Sequence, residues 1–98
     1  MKIYDIPLAK TPNQKVTFSL SGKNISVELN WRLNMLFASV SVNRVDVVNN
    51  RPCLNEEPII RESYRGFPGE MWFSDLQGKE NPDWRHLGER HVLRVAIV

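Results

Sequence analysis

The sequence is short of nearly everything that builds a small enzyme or a metal-held fold. It has one cysteine, Cys53, in 98 residues. No disulfide can form within the chain, which fits a reducing compartment. Histidine is as scarce: His86 and His91 match no zinc-ligand spacing, Cys53 lies far from them, and paired CxxC motifs are missing. Neither a metal site nor a cofactor is expected. The five glycines stand singly or as Gly66 with Gly69, so no phosphate-cradling loop exists. There is no GxSxG turn to hold a strained nucleophile. Glu56, Glu57, Glu62 and Glu70 are the carboxylates available for paired acid–base work, but adjacent Glu56 and Glu57 in a polar stretch read as solvated surface. No catalytic residue emerges, and an enzyme is not expected.

Long apolar runs are also missing. None approaches the length of a membrane-spanning helix, and the start of the chain lacks the apolar core of a secretory signal. A chain that begins at Met1 and stays in the cytoplasm where it is made is predicted. Charge of one sign is not concentrated either. Thirteen Lys and Arg oppose eleven Asp and Glu for a net charge of +2, spread from Lys2 to Arg94. Nucleic-acid binders favour a basic stripe, so this spread speaks against one. No repeat of solenoid length and no low-complexity segment occurs.

What is present is alternation. Val16, Phe18 and Leu20 alternate with polar residues, then Ile25, Val27, Leu29 and Trp31, then Ala38, Val40 and Val42. A period of two marks strands with one dry and one wet face. Gly22 suits the first central position of a two-residue type II′ turn, which sets Leu20 opposite Ile25, Phe18 opposite Val27 and Val16 opposite Leu29. A second turn at Asn34-Met35 sets Trp31 opposite Ala38, with Trp31 buried beside it. A turn or bulge at Asn43-Arg44 leads to Val45 and Val47, and Asn49 to Pro52 reads as a loop. Pro7 interrupts the opening apolar residues and points to an edge strand or extended arm. From Cys53 to Pro68 the pattern fades into a long connection, where Ile59, Ile60 and Tyr64 suit at most one helical turn. Glu70 to Leu76 and Val92 to Val98 resume as strands. One all-β domain over 1–98 is predicted, a small barrel or sandwich of about six to seven antiparallel strands.

Aromatic and arginine residues gather outside the alternating core: Tyr64 and Phe67 beside Arg61 and Arg65, and Trp84 beside Arg85. Interface hot spots and base-stacking platforms both use this mixture. Tyr64, Phe67, Trp84 and Arg85 are therefore the candidate protein-interface residues. A nucleic-acid-binding small β-barrel is the alternative reading.

The ordered set Ile6-Pro7-Leu8, Leu20-Ser21-Gly22, Leu29-Asn30-Trp31-Arg32, Gly69 to Asp75, Asn81-Pro82-Asp83, Leu87 to His91 and Leu93 resembles the small baseplate plug proteins of contractile-tailed bacteriophages. Val45 to Gly66 departs most from that pattern. The resemblance implies a virion structural protein without a catalytic role, a plug in the central hub of the tail baseplate at the distal end of the tail tube. It implies baseplate hub and spike proteins as partners, with the tape-measure protein as a further one, and several copies in the assembly.

Overall fold

In the computed structural model, residues 2–60 and 69–97 are described. They form eight strands in two four-stranded antiparallel sheets: β1 Lys2–Ile6, β2 Asn13–Leu20, β3 Lys23–Arg32, β4 Met35–Val42, β5 Val45–Pro52, β6 Pro58–Ile60, β7 Gly69–Asp75 and β8 His91–Ile97. One sheet runs β1-β8-β7-β6 and the other is the meander β2-β3-β4-β5. The architecture is the sandwich, not the closed barrel.

Alternation builds this arrangement directly. Ile25, Val27 and Leu29 of β3 and Leu36, Ala38, Val40 and Val42 of β4 are buried, and their neighbours along each strand are not. This face meets Ile59, Ile60, Met71, Phe73, Leu93 and Val95 of the other sheet in one core. Such burial, at about 25 cal/mol per Å² of apolar surface, is the main force holding the layers together.

The hairpin registers differ from the sequence expectation. Leu20 pairs with Lys23, Phe18 with Ile25 and Val16 with Val27. Trp31 pairs with Leu36, and Leu29 with Ala38. The loops are Ser21-Gly22 and Leu33-Asn34, with φ of 50° and 76° in the first and 53° and 57° in the second. Positive φ at both central residues is the type I′ pattern, whose twist matches that of the flanking strands. Each loop sits one residue earlier than predicted, so each pairing moves by two and every side chain keeps its face. The Asn43-Arg44 turn is as predicted and also lies at positive φ, 49° and 68°.

Three other expectations are corrected. Asn49 to Pro52 is not a loop; it completes β5, whose register against β4 shifts twice. Ile59 and Ile60 lie on a short strand paired with β7 instead of in a helical turn. Trp31 is half-buried because it stands one residue from the end of β3, where the opposite sheet no longer covers it.

Edge strand β1 pairs with β8, joining the two ends of the chain. The β3–β4 loop and the 84–90 segment lie at one pole. The β2–β3 and β4–β5 loops lie at the other, tied by Asn24 N–H to Asn43 Oδ1 at 2.9 Å and Asn43 N–H to the Asn24 carbonyl at 2.8 Å.

Candidate protein-interface site

The segment joining β7 to β8 carries a 3-10 turn, Trp84–His86. Asp83 starts it from an extended backbone, and its carboxylate accepts the Arg85 N–H at 3.0 Å and Arg85 Nη1 at 2.7 Å. A short polar side chain before the turn satisfies a donor that has no partner within it. Leu87, buried in the core, ends the turn and anchors it.

This geometry places Trp84 half-buried against the core while Arg85 stays exposed. The Arg85 guanidinium lies 5.4 Å from the centre of the Trp84 ring and 5.8 Å from that of Trp31. Trp31 belongs to one sheet and Trp84 follows the other, so one cation bridges the layers through two indole faces. Cation–π contacts at exposed sites stabilise by about 0.5–1 kcal/mol each. The backbone N–H of Trp31 donates to the Pro12 carbonyl at 2.9 Å.

The hairpin tip that follows Trp31 carries a second cation, on the opposite face of β3. Arg32 stacks over Phe37 at 4.3 Å, and no ion pair to Arg32 occurs among the described residues. Leu33, first in the type I′ loop, is 81% exposed, the most exposed large apolar side chain among the described residues.

Charged contacts stiffen the rest of the pole. Arg90 donates twice to Asp75, at 2.8 Å each, and Asp75 also accepts the Gln77 and Glu80 N–H groups at 2.9 Å. The Arg90 hydrogen bonds, helped by those two amides, hold the Asp75 carboxyl well below the usual carboxylate range. Lys10 meets Glu89 at 2.8 Å and lowers its pKa in the same way. His91 is buried with Nδ1 unpartnered, and burial lowers its pKa. Burial pushes the Cys53 thiol up to about 12, far from the reactive thiolate range.

Of the four residues expected at an interface, Trp84 and Arg85 come together here, and Trp31 joins them. Tyr64 and Phe67 lie outside the described residues. Among the described residues no group of three or more His, Cys, Asp or Glu side chains is placed to hold a metal. Sequence reasoning missed Leu33, although a leucine beside asparagine at a hairpin centre is itself an anomaly. It also missed the Asp75–Arg90 pair, which nothing local announces.

No curated protein matches the chain. The family model described as cyanophage baseplate Pam3 plug gp18 matches residues 3–96, a span that contains all of β2 to β7 and nearly all of β1 and β8.

Proposed function

The chain belongs to this phage baseplate plug family, and from that premise we propose that it acts as one non-enzymatic all-β domain over 1–98, plugging the central hub of a contractile tail. It sits at the distal end of the tail tube in several copies, is made in the host cytoplasm, and is carried in the virion. Its partners are hub and spike proteins, with the end of the tape-measure protein as a further contact. The observation that carries this reading is a family match running from the first strand to the last, over residues 3–96. The Trp31–Arg85–Trp84 cluster is the part of the surface that would dock. Tryptophan and arginine dominate interface energetics because they combine large contact area with directional polar groups.

Purified virions are expected to contain the chain, and antibody labelling in the electron microscope should mark the tail end distal to the capsid. Its absence from virions would overturn the reading. The double variant Trp84→Ala with Arg85→Ala, shown folded by circular dichroism, should incorporate less than the unaltered chain. Equal incorporation would move the docking surface elsewhere.

A further inference from the structure

Leu33 is in the wrong place for a leucine by both local and tertiary criteria. Its φ is 53°, in the left-handed region where the Cβ of a bulky residue crowds its own backbone and Asn, Asp or Gly is favoured. The residue is 81% exposed, so burial within the chain does not offset that strain. The following residue, Asn34, is the type the turn prefers; Leu33 is not. A residue that costs stability where it stands and stays in water finds its compensation on another molecule.

Resting on the baseplate reading above, we infer that the β3–β4 tip is a docking knob: Leu33 enters an apolar socket on a neighbouring baseplate protein, and carboxylates around that socket's rim meet Arg32. The family implies association with other baseplate components. The acidic rim follows from charge. Arg32 Cζ lies over the Phe37 ring, 4.3 Å from its centre, and the guanidinium has no carboxylate partner among the described residues, so its N–H groups can donate to a partner's carboxylates. Arg85, on the same pole, is already paired with Asp83 at 2.7 Å, so the acidic rim rests on Arg32 alone. A second copy of the chain is a poorer occupant. The hollow along β5, about 570 Å³, is lined by Val47, Val48, Pro52 and Ile59, but the charged residue lining it is Arg51, which repels Arg32. The tip is rigid: Arg32 pairs with Met35 directly across the two-residue loop, so little ordering entropy is lost on docking.

The inference makes stability and assembly move in opposite directions. Leu33→Asn should raise the thermal midpoint of the isolated protein, because asparagine tolerates the left-handed backbone. In a competition for virion incorporation between tagged variant and unaltered chain, the same substitution should lower the variant's share about thirtyfold, as expected for a hot-spot side chain. Arg32→Glu should lower incorporation as well. A lowered midpoint for Leu33→Asn would mean that Leu33 packs within the chain, and the knob would be lost as an idea. Equal incorporation of Leu33→Asn, with the unaltered chain present in virions, would overturn the knob and leave the baseplate reading standing. Absence of the unaltered chain from virions would sink both. Undiminished incorporation of Arg32→Glu would remove the acidic rim. If sedimentation showed the isolated unaltered chain to be an oligomer that Leu33→Asn takes apart, the occupant would be a second copy, and the assignment to another protein would fall.

Discussion

Two glycines show how one residue type does unrelated work. Gly22 has φ of 76°, and a Cβ built there meets nothing within 4 Å. Its role is conformational, so Gly22→Ala should cost about 1 kcal/mol from the left-handed backbone alone, and Gly22→Val somewhat more because valine branches at Cβ. Gly69 is buried at the start of β7, and a Cβ there would run into the Ala96 carbonyl of the paired strand. That contact is with backbone, which cannot step aside without moving β8. Gly69→Ala should therefore cost about 3 kcal/mol or more. Urea titrations of the two alanine variants should rank them in that order; equal midpoints would show that the strands separate freely at Gly69. Leu33 belongs to the same class as Gly22, as a residue at positive φ, but without glycine's freedom. Its strain costs about 1–2 kcal/mol, a noticeable share of the roughly 5–15 kcal/mol that stabilises a domain.

At the scale of elements, the meander β2-β3-β4-β5 is three hairpins, each closed by a two-residue loop with positive φ throughout. Ser21 and Leu33 hold the first central positions of two of them, where asparagine would be better tolerated. Ser21→Asn should stabilise by roughly 0.5–1 kcal/mol, with no change in the rest of the sheet, since Ser21 is exposed. A denaturation midpoint unchanged or lowered would argue against the type I′ assignment. The 84–86 turn is a different kind of element, held by one acidic cap and one buried leucine. It leaves Arg85 exposed and Trp84 only half-buried against the core, because so short a turn has no fully buried face of its own. Much of the edge-strand hazard is handled by length and charge: β6 is only Pro58–Ile60, and β1 carries Lys2 and Asp5, the latter paired with Arg94 at 3.2 Å.

For the whole molecule, the two poles are unequal. One is closed by asparagine-to-backbone bonds between loops. The other carries the cationic and aromatic surface, and close to it lies the one titratable histidine buried among the described residues. His91 is faced by Asp75 and Asp83, which favour its proton, and by Arg90 and His86, which oppose it; burial is the largest influence and lowers its pKa below the ordinary 6.5. The unfolded chain therefore binds a proton at a pH where the folded chain does not, and stability falls as pH drops below about 6.5. Asp75, held below its ordinary 3.8, adds a second loss below that value, because protonation breaks its bonds to Arg90. Thermal midpoints measured from about pH 7 to about pH 3 should fall in two stages. His91→Gln should flatten the first and leave the second; a variant that keeps the full slope between neutrality and about pH 5 would assign the first stage to another group.

By itself, the sequence determined which side of β2, β3 and β4 faces the core, that the domain is β throughout, and where the three meander turns fall to within a residue. In β5 it did not, since Val45 is exposed and Asn49 to Pro52 is strand. Alternation is a local signal, and a strand's inward set survives any shift of pairing by two. For that reason the same pattern left the register open: Phe18 opposite Val27 and Phe18 opposite Ile25 bury identical faces, and the choice fell to the backbone twist of the Ser21-Gly22 loop. The aromatic and arginine character of residues 84 and 85 was legible from composition. Only the tertiary structure decided that Arg85 lies over Trp31, that Asp75 grips Arg90, and that Leu33 gains no burial from the rest of the fold. Those facts depend on how two sheets from distant parts of the chain meet, and no local periodicity encodes where a strand runs out of cover.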